Sequence, residues 1–220
     1  ARPWTSGCSR ATTRANSLLP RFVVIGQKAD ASGEFLPDDL PGTSGRLDVL
    51  LRCVRAALLW SHGIREDVTV YLVLCGGPRA PRALRIDGST ARFIRPDERS
   101  LATLARKTLA SRADEAADGF VEVRAGIAIA RQGLESVLSE LGGAPGFVLE
   151  EGAPDLRDSP EAMVGEAVFF LGDHLGFDEH TRQRLASSGA RPLGVGPRSL
   201  HAEDVVAVVL NEFDRRHFKE

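Results

Sequence analysis

The stretch Ala167-Val168-Phe169-Phe170-Leu171-Gly172-Asp173-His174-Leu175-Gly176-Phe177 is an apolar run that ends in a glycine-bearing loop. A second loop of the same kind, Leu193-Gly194-Val195-Gly196-Pro197-Arg198-Ser199-Leu200-His201-Ala202, stands directly before the apolar segment from Asp204 to Phe213. Each loop reads as the end of a buried strand. Glycine there permits positive φ and lets backbone come close to a ligand. Two such loops at the carboxyl edge of one sheet make a pocket of the nucleotide-binding type.

Around these loops the chain alternates strand and helix signals. Phe22-Val23-Val24-Ile25-Gly26 is a short β-rich apolar run, and Val68 to Cys75 is nearly all apolar, as a central strand requires. Between them, residues 30–45 hold Gly, Pro, Asp and Ser and read as a long loop. Leu47, Leu50, Leu51, Val54 and Leu58 fall at helical spacing over 47–61. Residues 83–87 and 91–94 are expected to form a hairpin around Gly88-Ser89, followed by a helix from Ser100 to Ser111. Segments 120–123 and 127–129 read as weak strands, and 133–141 as a helix. Strands at 147–150, 167–171 and 192–195 and helices at 178–187 and 203–215 complete the pattern. Alternation of this kind predicts an α/β fold with a largely parallel sheet.

A chain of 220 residues suffices for one sizeable core. Residues 1–20 differ from the rest: rich in Ser, Thr, Arg and Ala and without apolar periodicity, they read as an extension outside a single domain at 21–220. Their basic, acid-free character suits a transit peptide, and a translated upstream region suits it equally. No apolar run approaches the roughly 20 residues of a membrane-spanning helix. Cys8, Cys53 and Cys75 match no metal-ligand spacing, so reduced thiols in a cytoplasmic protein and no bound metal are expected.

The net charge of −2 announces no nucleic-acid partner. Its distribution is less even. Between Arg79 and Lys107 lie Arg79, Arg82, Arg85, Arg92, Arg95, Arg99, Arg106 and Lys107 against Asp87, Asp97 and Glu98. Arginine-rich genomic composition explains such a segment, and so does phosphate contact by planar bidentate donors. Established catalytic motifs are missing: there is no phosphate-binding Gly-x-x-x-x-Gly-Lys, no His-Glu-x-x-His and no Cys-x-x-Cys. Gly194-Val195-Gly196 is half of a dinucleotide fingerprint. Ser199, His201 and Asp204 lie too close in sequence to make a hydrolase triad.

Several ordered blocks resemble a known family. They are Phe22–Gly26, Asp38-Asp39-Leu40-Pro41-Gly42 through Gly45-Arg46-Leu47-Asp48 to Val54, His62–Val68, and Pro96-Asp97-Glu98-Arg99-Ser100. The two glycine loops and Asn211-Glu212-Phe213-Asp214-Arg215 continue the series. Together, over about residues 21–215, they look like TrmY, the tRNA pseudouridine-54 N1-methyltransferase family of the SPOUT class. The resemblance implies a C-terminal deep trefoil knot, S-adenosyl-L-methionine bound in it, a homodimer, and tRNA as substrate. It implies cofactor contacts from Leu149, Gly172, Leu193, Gly194, Val195, Gly196, Pro197, Arg198, Leu200 and Val205. At Val205 the family often has a Cys, a departure that weakens one expected cofactor contact while leaving an apolar side chain to pack against the adenosine.

Methyl transfer to N1 of pseudouridine releases a proton, and Asp48 and Asp173 are the carboxylate candidates to accept it. Asp173 suits loop capping as well, and Asp48 suits the N-terminal dipole of its helix. Arg46 is a candidate for a catalytic role or for RNA contact, through the target base or a phosphate, Arg52 for RNA contact or a dimer interface, and Arg95 and Arg99 for RNA contact. His174 and His201 read as structural hydrogen-bonding groups. Two other readings stay open: a SPOUT enzyme acting on ribosomal RNA or ribose, and an RNA-binding module that keeps the fold without catalysis.

Overall fold

The computed structural model describes residues 20–163 and 166–217. In chain order, the first half comprises β1 (Arg21–Asp30), α1 (Leu40–Thr43), α2 (Leu47–Leu58), β2 (Leu59–Trp60), β3 (Gly63–Ile64), β4 (Thr69–Gly76), β5 (Arg82–Asp87) and α3 (Glu98–Ala110). The second half comprises β6 (Val121–Arg124), β7 (Ile127–Ala130), α4 (Leu134–Leu141), β8 (Gly146–Leu149), β9 (Val168–Gly172), α5 (Glu179–Ser187), β10 (Arg191–Leu193) and α6 (Ala202–His217). Eight strands form one sheet in the order β10-β8-β9-β1-β4-β5-β7-β6, and β2 and β3 pair separately. From β10 to β4 every pairing is parallel; β5, β7 and β6 add an antiparallel wing.

The strand period of two sorts the core into two layers. Phe22 and Val24 of β1 face α2, α3 and α6, and Val23 and Ile25 face α4 and α5. Residues buried on both faces explain why the β1 and β4 segments read as unbroken apolar runs. Phe22, Phe147 and Phe213 pack around Phe169, with ring centroids 5.6 to 5.9 Å from it, in the layer below α6.

The expected hairpin at 83–94 does not form. β5 pairs antiparallel with β4 on one side and β7 on the other, so both of its edges are taken. The chain instead turns over 87–91, where the Ala91 N–H donates to the Asp87 carbonyl at 2.8 Å, and residues 91–94 are irregular. The helix expected from Ser100 starts at Glu98, because the Asp97 carboxylate accepts from the Ser100 N–H at 2.8 Å and caps it. The loop 30–45 contains the single turn α1, and α2 ends at Leu58 rather than at 61. The two weak strand readings correspond to β6 and β7.

Candidate active site

The carboxyl ends of β8, β9 and β10 and the first turns of α2 and α6 surround a cleft of about 860 Å³. Of the residues selected from sequence, Leu149, Gly172, Leu193, Val195, Gly196, Arg198, Leu200 and Val205 line it, together with Arg46, Arg52 and Asp173. Val205 is half-buried against the core as well as facing the cleft. Gly194, Pro197 and Asp48 are not part of the lining, and neither are Arg95 and Arg99.

Gly194 sits behind the wall. Its N–H donates to the Pro154 carbonyl at 2.8 Å, and its own carbonyl accepts from the Leu156 N–H at 2.7 Å. A β-carbon there would meet the Ala153 carbonyl oxygen at 2.7 Å, so only glycine lets the two segments cross. Beyond it, the backbone N–H groups of Val195, Gly196, Arg198, Ser199 and Leu200 donate to no partner among the described residues. All five residues line the cleft and none is buried, so these donors are open to solvent or a ligand.

Asp48 anchors the opposite wall. It is 2% exposed and lies in the first turn of α2. Arg46 donates from Nε at 3.0 Å and from Nη2 at 3.2 Å to its two oxygens, and Arg52 donates from Nη1 at 2.7 Å. Arg52 uses Nε to reach Glu203 of α6 at 2.7 Å. The result is a chain of alternating charge, Arg46–Asp48–Arg52–Glu203, that joins the two helix starts. Burial by itself would raise the Asp48 pKa; the hydrogen bonds from Arg46 and Arg52 outweigh it and hold the carboxyl below the usual aspartate value.

The backbone contributes strain at this point. Arg46 has φ 68° and ψ 33°, a left-handed conformation, and its side chain makes no capping bond to α2. For a non-glycine residue this costs about 1–3 kcal/mol and collects at functional sites. The preceding Gly45 is forced by contact, since a β-carbon there would lie 1.8 Å from the Lys28 carbonyl oxygen. The tight approach of Gly45 to β1 thus sets the direction in which Arg46 leaves the chain.

Asp173 serves its own loop. Its Oδ2 accepts from the Gln27 N–H at 2.9 Å and its Oδ1 from the Leu175 N–H at 2.8 Å. Its backbone closes the turn to Gly176 at 2.9 Å. Both carboxylate oxygens are therefore engaged in holding the loop 173–176 against β1. His174 is more exposed and stands 4.0 Å from Asp173. Burial pushes the Cys75 thiol up to about 11 and that of Cys53 further up, so neither is a thiolate.

Glu203, Val49, Phe177 and Arg182 also line the cleft and were not selected from sequence. Phe177 stood in the first glycine loop, and Glu203 directly follows the second. Arg182, paired with Glu150 and lying over the Phe177 ring at 5.8 Å, had no sequence signal.

The fold matches that of the structure of Archaeoglobus fulgidus Nep1 bound to S-adenosylhomocysteine, with a TM-score of 0.64. That match covers 90% of this chain and 98% of that one at 14% identity. A family profile described as "Putative SAM-dependent RNA methyltransferase" matches residues 19–218. Proteins named tRNA (pseudouridine(54)-N(1))-methyltransferase are similar along almost their whole length. The one from Methanosarcina acetivorans is 38% identical, over 88% of this chain and 90% of that protein. The one from Methanococcoides burtonii is 37% identical, over 90% and 96%. The one from Halobacterium salinarum is 37% identical, over 91% and 98%. The chain belongs to this family of RNA methyltransferases, as the blocks read from its sequence implied.

Proposed function

We propose that this protein transfers a methyl group from S-adenosyl-L-methionine to N1 of pseudouridine 54 in the T-loop of tRNA. One observation carries the reading beyond family membership. The cleft joins an unpaired row of backbone donors at 195–200 to a charged wall formed by Arg46 and Arg52. Apolar Leu149, Leu193, Val195, Leu200 and Val205 suit the faces of an adenosine, and the free N–H groups suit its edge and polar tail. When bound, the cofactor supplies an electrophilic methyl on a sulfonium.

The protein's own residues then have two tasks. The loops 149–151, 172–176 and 193–200 orient the cofactor, and Arg46 and Arg52 receive the RNA. Arg46 engages Asp48 through Nε and Nη2, which leaves Nη1 for a ligand. Placed on a uracil carbonyl, that donor stabilises the negative charge that develops as the N1 proton leaves. Asp48 and Asp173 suit the role of base poorly, because the first is buried under three guanidinium bonds and the second is a fully buried side chain holding two backbone N–H groups. In this reading the proton passes to water, and Asp48 is a positioning residue that aims two guanidinium groups.

The reading also includes a deep trefoil knot, a homodimer, a single domain over 21–220 and a cytoplasmic location. Support for the knot is that segment 150–156 closes over residues 193–194 from both sides, with Glu150 N–H to Leu193 O at 3.0 Å and Leu156 N–H to Gly194 O at 2.7 Å. Exposed Leu175 and Leu200 beside the cleft suit a subunit interface. For the domain, the support is the single eight-stranded sheet; the extension read at residues 1–20 lies, but for Pro20, outside the described residues. Unpaired Cys53 and Cys75 suit a reducing compartment, and no described helix is long and apolar enough to cross a membrane.

The test uses cofactor labelled in the methyl group and two tRNAs that differ in carrying pseudouridine or uridine at position 54. Label is expected on N1 of the pseudouridine alone. Equal labelling of both tRNAs, or of neither, overturns the reading.

A further inference from the structure

Phe93 is 90% exposed, the most exposed large apolar side chain among the described residues. It also has φ 60°, a left-handed conformation that is an outlier for a bulky residue. The loop around it is not loose. Ala91 and Ile94 on either side are buried. The N–H groups of Thr90 and Ala91 both donate to the Asp87 carbonyl, and Arg124 Nη2 donates to the Arg92 carbonyl at 3.0 Å. The backbone is thus pinned on both sides of an aromatic ring turned to solvent.

Four exposed arginines belong to this loop or adjoin it: Arg92 and Arg95 stand in it, Arg99 is in the first turn of α3, and Arg124 is tied to it through the Arg92 carbonyl. Their pairing sets them apart from their neighbours in the arginine-rich segment. Arg79, Arg82 and Arg85 are paired with Glu115, Asp114 and Glu140. Arg99 has an exposed pairing with Asp38. Arg92, Arg95 and Arg124 have no carboxylate partner among the described residues, and the guanidinium groups of Arg92 and Arg124 rest on backbone carbonyls. Of the nearby acids, Asp87 holds Ser89, Asp97 caps α3, and Glu122 accepts from the Gly126 N–H, while Glu98 is exposed in the first turn of α3 and pairs with none of these arginines. A rigid exposed aromatic amid unneutralised arginines is the composition of a stacking platform for a nucleic-acid base, with phosphates on the guanidinium groups.

The topology places this patch far from the cleft. Asp87, the last residue of β5, pairs with Thr69, the first of β4, so the loop leaves the sheet at the edge where the parallel strands begin. The cleft lies at the edge where they end. The eight residues of β4 separate the two edges by about 25 Å at roughly 3.3 Å per residue. That is less than one turn of a nucleic-acid duplex, about 34 Å. Both lie on the helical layer in which α2, bearing Arg46, packs against α3, which the Phe93 loop leads into.

We infer that Phe93, with Arg92, Arg95, Arg99 and Arg124, forms a second RNA-binding platform that stacks on an unpaired base while the cleft holds the target nucleoside of the same RNA. The inference rests on the RNA methyltransferase reading above and extends it to an RNA surface outside the target loop. It assigns the RNA role expected for Arg95 and Arg99 to a place away from the cleft.

The test compares the full chain with Phe93→Ala, Phe93→Trp and an Arg92→Ala/Arg95→Ala/Arg124→Ala triple variant. Binding of unmodified tRNA and of an isolated T-arm hairpin is followed across a salt series, alongside methyl transfer and calorimetry with S-adenosylhomocysteine. Phe93→Ala is expected to weaken tRNA binding on the order of 10-fold, and Phe93→Trp to restore it. The triple variant is expected to lower the salt slope by about 2 to 3. S-adenosylhomocysteine affinity and the rate at saturating tRNA stay as in the wild type. Wild-type tRNA affinity and slope in both Phe93→Ala and the triple variant overturn the platform while leaving the methyltransferase reading intact. So does loss of an oligomer without loss of RNA binding, which makes the patch a protein interface. A wild-type protein that neither binds nor methylates tRNA overturns both.

Discussion

Two arginine–aspartate clusters in this protein share their chemistry and differ in what is left over. In the first, Arg82 donates from Nε and Nη2 to Asp114 at 2.8 and 2.6 Å and from Nη1 to the carbonyls of Ala31 and Leu109. Both partners are 2% exposed, and no guanidinium nitrogen lacks a partner. In the second, Asp48 is as deeply buried, but its arginines reach the cleft and Arg46 keeps Nη1 unoccupied. A closed cluster ties β5 to the turn after α3. An open one presents charge to a ligand. Burial and pKa direction do not separate the two, since both carboxyls lie below the usual aspartate value. What separates them is the unoccupied donor and the left-handed backbone at Arg46.

The closed cluster should break the fold without touching chemistry. Asp114→Ala leaves the Arg82 charge buried without its partner, which destabilises by about 3–5 kcal/mol. Urea unfolding should show that loss, while the protein that remains folded keeps its wild-type rate per molecule. A variant with unchanged unfolding would mean that the pair is not sealed from water.

The open cluster should show the reverse. Arg46→Ala removes the donor proposed for the developing charge and should lower kcat/KM by about 10²–10³-fold. Stability should fall by no more than about 1 kcal/mol, because Asp48 loses the two bonds from half-exposed Arg46 but keeps its bond from Arg52. Arg46→Lys keeps the charge and loses the two-pronged grip on Asp48, so it should recover little activity. Full activity in Arg46→Ala would reduce the second cluster to architecture and remove the contrast.

Much of this was legible in sequence for one physical reason: burial on both faces writes strands as apolar runs, and glycine marks the places where backbone crosses backbone. The parallel half of the sheet and the loops at 172 and 193–200 were readable on that basis. The antiparallel wing was not, because β5 reads alike whether its partner is the next segment or β7, 40 residues on. Arginine was the least legible residue. Arg82 and Arg92 stand in the same arginine-rich segment and read as equivalent, yet one is sealed with Asp114 and the other lies open beside Phe93. Side-chain pairing over long separations decides that, and local spacing carries no trace of it.

The smallest effect expected concerns Asp48 and acid, and it sharpens the contrast. The Asp48 pKa is lowered in the folded state, so ionised Asp48 adds stability that is fully present above the unfolded aspartate value of about 3.9 and is lost as pH falls through the lower folded value. Its two partners are 41% and 36% exposed, and solvent screening limits the contribution to about 1 kcal/mol. Asp48→Asn should therefore unfold slightly more easily than the wild type from pH 5 to 8 by a constant margin, which begins to narrow below about pH 4 and closes as the pH passes the lower folded value. Asp114 titrates in the same direction in both proteins and cancels from the difference. Activity should fall much further than stability, because an amide no longer holds two guanidinium groups by charge. A margin that does not narrow at all as the pH falls below the unfolded value would mean that Asp48 acts by shape rather than by charge, and its role in aiming Arg46 and Arg52 would have to be given up.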